Sequence, residues 1–297
     1  MKPKQPQPQQ TAPIGAEKKL RLFAGIELAY LSLAGERFTV HHEENADIMV
    51  INYCKSGRIG WRMTNGSYAY LGAGDFCVHT LNICANSEIT LPNETYEGLA
   101  IYIDLQQLTD NPPDLLQNTG ITGDALYNRL CGDTPLISVI GNEHTEAIFR
   151  FFFQQPAGLR PAYQKIKVLE LLLYLYTAGD VANRRATEYQ AEQIETVRKI
   201  HDQLLNSLDQ RITIEELSRR CMMNPTTMKS LFKSVYGTSI AAHMKEHRMR
   251  KAAELLSATE MTIAEVALAV GYDSQSKFSA AFKDYFRVLP KEYRKRR

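Results

Sequence analysis

The spacing of hydrophobic positions changes character twice along the chain. Between Arg37 and Asp104 apolar residues alternate or run in short blocks: "RFTVHHEE", "ADIMVINYC", "GRIGWRMT", "SYAYL", "DFCVHT", "EITLP" and "YEGLAIYIDL". Gly, Asn, Asp or Ser punctuates them. About seven strands at this spacing predict a small sandwich or barrel. "LGAGDF" (Leu71–Phe76) supplies the Gly-rich turn that a tight corner requires. After Leu105 the period lengthens, and "GDALYNRLC", "EHTEAIFRFFFQQP" and "YQKIKVLELLLYLYTAGD" read as helices. The last is apolar almost all round, through Ile166, Val168, Leu169, Leu171, Leu172, Leu173 and Leu175. So wide an apolar face suits core packing and leaves room for a subunit contact, and a homodimer is expected.

Residues 177–190 show no apolar period, and a connector is expected at 181–192. Beyond it the chain reads as all helix, starting with a stripe of Ile194, Val197, Ile200, Leu204 and Leu205. The expected organisation is an arm at 1–19, a sensor-sized domain at 20–180, the connector, and a helical domain at 193–297. The arm, "MKPKQPQPQQTAPIG", is Pro- and Gln-rich, which predicts disorder.

The helical domain contains a repeat. "TIEELSRRCMMNPTTMKSLFK" (Thr213–Lys233) is echoed by "TIAEVALAVGYDSQSKFSAAFK" (Thr262–Lys283). Each copy opens on a capping-box pattern, Thr213 with Glu216 and Thr262 with Glu265. Each places a turn after about eight residues and then starts a second helix. Asn224-Pro225 caps it in the first copy; Gly271 and either Asp273 or Ser274 do so in the second. Two short helices joined in this way make a helix-turn-helix.

In the second helices Met228, Leu231 and Phe232, and Phe278, Ala281, Phe282, Tyr285 and Phe286, fall on one buried stripe. That turns Thr226, Thr227, Lys229 and Ser230 outward in one copy, and Gln275, Ser276, Lys277 and Ala280 in the other. Gln, Lys, Ser and Thr at the start of such a helix suit base edges in a major groove. Ser279 is expected to be ordinary surface. The helix starts at Asn224 and Ser274, together with Lys233, Lys283, Arg248 and Lys251, are expected on the phosphate backbone of double-stranded DNA. Between the copies, Ser239–Glu260 reads as one helix. About 20 helical residues span ~30 Å, close to the ~34 Å between successive groove faces.

Charge sharpens this picture. Residues 191–297 hold 19 basic and 13 acidic residues, against 16 and 20 in the rest of the chain, so the helical third suits a polyanion. Five scattered cysteines (Cys54, Cys77, Cys84, Cys131 and Cys221) without a CxxC pair suggest reduced thiols. No apolar run is long enough to cross a membrane, and the start lacks the apolar segment of a secretory signal. A cytoplasmic location and no membrane partner are expected.

With "TIEELSRRCMMNPTTMKSLFKSVYG", "RMRKAAELL", "TIAEVALAVGYDSQSKFSAAFKDYF" and the closing "LPKEYRKRR", residues ~195–297 resemble the DNA-binding domain of AraC/XylS-family transcriptional regulators. Two positions depart from the family pattern: Arg287 stands at a usual Gly, and Ala280 at a usual basic residue. The second departure implies that the second motif is the looser reader. The resemblance implies an α+β chain: an N-terminal cupin-like β-barrel with C-terminal helices, then an all-α domain of two helix-turn-helix motifs. It further implies a small-molecule effector in the barrel, with Tyr53, Trp61, His79 and Tyr102 as pocket candidates. Homodimerisation, activation of a promoter, and RNA polymerase as a partner follow in the same way.

The enzymatic alternative is a metal- or thiol-dependent cupin with an appended DNA-binding domain. His41 and His42 are adjacent and point to opposite faces of a strand, so they cannot both enter one site with His79. No P-loop, GxSxG or paired-carboxylate pattern occurs. Catalytic residues, metal ligands and cofactors are therefore not expected.

Overall fold

The computed structural model describes residues 19–41, 44–62, 66, 68–83, 86–132, 136–178, 191–210 and 212–295. Residues 1–18 of the expected arm, 181–190 of the expected connector, His42, Cys84 and the two terminal arginines lie outside them. The chain divides into two units, Met1–Ala191 and Glu192–Arg297.

Among the described residues the first unit holds nine strands: β1 (Leu20–Phe23), β2 (Ile26–Ala34), β3 (Arg37–His41), β4 (Ile48–Arg62), β5 (Tyr68–Gly72), β6 (Phe76–Thr80), β7 (Asn86–Thr90), β8 (Thr95–Asp104) and β9 (Leu136–Val139). Its helices are α1 (Leu105–Asp110), α2 (Gly123–Leu130), α3 (Glu143–Phe153) and α4 (Arg160–Thr177). The main sheet runs β1-β2-β8-β4-β6-β9, entirely antiparallel. A smaller branch joins β3 to β7, and both β7 and β5 to the far half of β4. The sheet is open, with β1 and β9 as the ends of its main path, which corrects the expectation of a closed barrel and leaves the cupin label unsupported.

β4 explains how one sheet covers two layers. The segments "ADIMVINYC" and "GRIGWRMT", expected as separate strands, form this single 15-residue strand. Its pairing with β8 slips between Cys54 and Ser56, where the strand crosses from one layer to the other. Gly57 sits at the crossing with φ +78°, and a Cβ there would lie 2.0 Å from the Thr95 carbonyl oxygen. Only glycine fits this bend.

Alternation then sorts the side chains. Met49, Ile51 and Tyr53 of β4, with Leu99, Ile101 and Ile103 of β8, face α1–α4 in a core that includes Ile148, Phe149, Phe152 and Leu172. Val50, Cys54 and Ala100 face the smaller branch, against Phe38, Ile59, Trp61, Leu71 and Ile89. Strands β1, β2 and β9 were not legible as such: "IELAYLSLA" is nearly continuous in apolar residues because β2 lies inside the sheet and is covered on both faces. Asp75, in the "LGAGDF" corner, accepts the amides of Gly72 at 3.0 Å and Gly141 at 3.2 Å. It thereby fastens the corner to the segment entering α3, and burial raises its carboxyl above the usual range.

Helix α4 buries Val168, Leu169, Leu171, Leu172 and Leu175 within its own unit. Ile166 and Leu173 remain 56% and 39% exposed.

The second unit is α5 (Ala191–Asn206), α6 (Ile214–Arg220), α7 (Pro225–Tyr236), α8 (Ile240–Ala258), α9 (Ile263–Ala269), α10 (Gln275–Phe286) and α11 (Pro290–Arg294). Helix α8 serves both halves. His243 near its start packs on Phe232 and Tyr236 of α7. Met249, Ala252, Ala253 and Leu256 further on pack with Val266, Val270, Phe278 and Phe282. Burying each of those two phenylalanines contributes roughly 1.5–3 kcal/mol.

Candidate nucleic-acid interface

Both repeats build a short helix, a turn and a longer second helix, with local caps that the sequence specifies. Thr262 accepts the Glu265 amide at 3.2 Å while Glu265 accepts the Thr262 amide at 2.7 Å, a complete capping box. The Thr262 amide, and its hydroxyl at 2.8 Å, donate to the Glu265 carboxylate and hold it below its usual range. In the first repeat only half of the box forms. Thr213 accepts the Glu216 amide at 3.2 Å, but Glu216 pairs with Arg220 one turn on. The nearby cation competes for the carboxylate, a feature absent from the second repeat, where Ala269 stands at the matching place.

Asn224 accepts the Thr226 amide at 2.8 Å and Pro225 follows as the first residue of α7. Ser274, rather than Asp273, caps α10 by accepting the Lys277 amide at 3.3 Å. The connecting turns need a left-handed residue in each copy. Gly271 supplies it at φ +77°, and Met222 at φ +49°. Gly271 is also close-packed, since a Cβ there would meet the Leu208 carbonyl oxygen at 2.5 Å. Nothing in the sequence marks Met222 for that conformation, and its side chain is 95% exposed.

The second helices present the arrangement that the periodicity predicts. Met228, Leu231 and Phe232 are buried, as are Phe278 and Phe282. Tyr285 departs from the expected stripe at 38% exposed, its hydroxyl facing Glu246 at 3.5 Å. Thr226, Thr227, Lys229 and Ser230 are exposed on the first two turns of α7, and Gln275, Ser276, Lys277 and Ala280 on those of α10. Among the described residues, neither Lys229 nor Lys277 has an acidic partner. Ser279 is half-buried.

Lys233 and Lys283 are exposed near the ends of these helices. Lys251 is exposed and meets Glu254 at 2.9 Å. Arg248 corrects an expectation. Its Nε donates to the Leu208 carbonyl at 3.0 Å and its Nη2 to the Gln210 carbonyl at 2.8 Å, so the guanidinium holds the end of the α5 loop instead of facing a phosphate. Lys245, on the same helix, pairs with Asp284 at 2.7 Å; the contact raises the lysine and lowers the carboxyl.

The four effector candidates do not share one environment. Tyr102, Trp61 and His79 lie on the face of the sheet between its two layers. His79 is buried, with Nε2 2.9 Å from Asn52 Nδ2 and Nδ1 3.0 Å from the Thr80 carbonyl. Tyr102 borders a cavity of about 320 Å³ that also touches Lys19, Arg21, Glu27, Leu81 and Asp104. Lys19 Nζ stands 3.8 Å from its ring centre. Tyr53 points the other way. Its ring stacks on Phe149 at 4.1 Å in the helix-facing core, and burial pushes its hydroxyl up to about 12, so it is corrected from pocket candidate to core residue. Cys54 is likewise pushed up to about 12 by burial, which keeps its thiol protonated at neutral pH. His41 lies on β3, but its side chain and all of His42 fall outside the described residues.

A family model described as a helix-turn-helix domain matches residues 217–296, from within α6 through the whole second repeat. The Tn10 TetD protein of Escherichia coli is 35% identical over 117 residues, covering 38% of this chain and 84% of that protein. The transcriptional regulator AlkR of Acinetobacter baylyi is 34% identical over 102 residues, 32% of this chain and only 33% of AlkR's length. An uncharacterized HTH-type transcriptional regulator of Haemophilus influenzae is 24% identical over 285 residues, 88% of this chain and 91% of its own. The chain belongs to the AraC-type helix-turn-helix family of DNA-binding transcriptional regulators. Among the described residues, no helix is long and apolar enough to cross a membrane.

Proposed function

We propose that this chain activates transcription as a cytoplasmic homodimer, reading a promoter site with α7 and α10 and taking its signal from a small molecule bound in the N-terminal unit. One observation carries the reading. Eight residues at the starts of two capped helices stay in solvent while Met228, Leu231 and Phe232, and Phe278 and Phe282, on the opposite faces are buried. Lys229, Thr226 and Thr227 on α7, and Gln275, Ser276 and Lys277 on α10, offer donors and acceptors that suit base edges. Asn224, Ser274, Lys233, Lys251 and Lys283 then serve the phosphates, while Ala280 leaves α10 with one contact fewer.

The effector reading rests on the cavity beside Tyr102, whose lining mixes an aromatic ring, an apolar leucine and charges of both signs. Trp61 and His79 stand on the same face of the sheet but do not line this cavity. Ile166 and Leu173 on α4 are large apolar side chains left in solvent, which favours a second copy as their cover. Activation, and with it contact to RNA polymerase, extends the reading from the family.

A mobility-shift assay on the promoter region beside the chain's own gene tests the core of this proposal. The intact chain should form a discrete complex that survives excess unrelated DNA. The double substitution Gln275→Ala with Lys277→Ala should abolish that preference. Equal displacement by any DNA would overturn the reading. Mass spectrometry of the small molecule that co-purifies with the intact chain, compared with Tyr102→Ala, tests the effector site.

A further inference from the structure

Three histidines meet inside the second unit, away from the outward faces of α7 and α10. His201 lies on α5, and His243 and His247 lie one turn apart on α8. One ring nitrogen from each comes within 4.8 Å of the others. The ring centres are 5.0 Å apart for His201 and His243, 4.5 Å for His243 and His247, and 5.9 Å for His201 and His247.

Burial distinguishes this group from a chance surface cluster. His243 is only 5% exposed, and among the described residues its buried Nε2 has no hydrogen-bond partner. Such a group is costly to leave unsatisfied, and a native fold that keeps one calls for an explanation. His201 is held in plane by stacking on Tyr236 at 4.3 Å, and its Nδ1 faces the Asp202 carboxylate at 3.3 Å. A carboxylate that accepts from one ring nitrogen fixes the tautomer and raises the basicity of the ring as a ligand. The nearby positive charge of Arg250 is answered by Glu246 at 2.5 Å.

We propose that His201, His243 and His247 bind one divalent cation of the zinc class, leaving a coordination position open to water or an exchangeable ligand. Three neutral imidazoles with no thiolate suit zinc, and disfavour calcium or magnesium, which take oxygen ligands. A tetrahedral site with bonds near 2.0–2.1 Å needs nitrogens about 3.3 Å apart. The rings close from 4.8 Å to that distance by side-chain rotation, since His201 and His247 are only half-buried. Two ligands four residues apart come from one helix face, and the third comes from a different helix. The bound ion therefore clamps α5, the first helix after residues 179–190, to α8, the helix that both repeats share.

The test uses the full chain, stripped with a chelator and titrated with zinc and, separately, cobalt. The expected result is one equivalent per chain, a rise in melting temperature with zinc, and the visible ligand-field bands of four-coordinate cobalt. His201→Gln and His247→Gln should each weaken binding by about ten-fold or more, whereas His144→Gln, in the other unit, should leave it unchanged. Melting of each metal-free variant separates lost ligation from lost folding. Nitrogen-15 NMR of the unsubstituted chain gives a second readout: three imidazoles should shift together on adding zinc. No uptake, uptake unaffected by both ligand substitutions, or a near-ultraviolet thiolate band with cobalt would overturn the proposal.

Discussion

Arg287 ends α10 in the same left-handed conformation in which Gly237 ends α7. Their φ values are 62° and 79°, and each donates its amide to the carbonyl four residues back, Lys283 at 2.8 Å and Lys233 at 2.7 Å. An arginine in this region strains its Cβ against the backbone, where glycine does not. The turns inside the two motifs show the reverse assignment: glycine serves the second, Gly271, and a side-chain-bearing Met222 serves the first. Replacing Arg287 with Gly should raise stability by about 0.5–1 kcal/mol, the strain relieved less the added freedom of the unfolded chain. Gly237→Arg should lower it by about 1–2 kcal/mol. Urea unfolding of the full chain, followed in the helical signal, reads both.

Gly57, unlike the Arg287 and Met222 positions, combines a left-handed φ with a backbone contact that leaves no room for a side chain. Gly57→Ala adds a Cβ 2.0 Å from the Thr95 carbonyl oxygen and forces an unfavourable φ. A loss of at least about 1–3 kcal/mol is expected, together with a lower soluble yield. An unchanged unfolding midpoint would show that β4 does not bend there.

Phosphate contact and base reading separate by their salt dependence. Lys233→Ala and Lys283→Ala should each reduce the slope of log affinity against log salt by about 1 while leaving the preferred site intact. Ala280→Arg should act in the opposite sense, steepening the slope and tightening the complex. An altered sequence preference in the Lys233 or Lys283 variant would move that residue from the backbone to the bases.

Ile166→Asp tests the subunit contact. The side chain is 56% exposed, so the fold should tolerate the charge, with a stability change within about 0.5 kcal/mol. Sedimentation equilibrium should then report monomer where the unsubstituted chain reports dimer. A monomeric parent would remove the reading.

The second unit was largely legible because its signals are local. Caps, the i, i+3, i+4 burial stripe and the internal repeat are each written within a dozen residues, and all converge on the same helices. What escaped was decided by tertiary contact. Arg248 was read as a phosphate ligand because it lies on a basic stretch, yet carbonyls 38 and 40 residues away capture it. Residue type alone suits Tyr53 to a pocket, whereas strand register turns it toward Phe149. The histidine cluster is illegible in the sequence for the same reason. His243 and His247 carry an i, i+4 signal, but the third member arrives from α5, more than forty residues earlier.

The open sheet has a consequence for the chain in concentrated solution. Unpaired edges invite further strands and seed ordered aggregates. Both ends of the main path are strands of only four residues, and β1 carries Arg21 in its middle, with Lys19 just before it. Edges so short are poor templates for addition, and the cations of β1 further disfavour a strand at that end, so the sheet can remain open without recruiting strands from its neighbours.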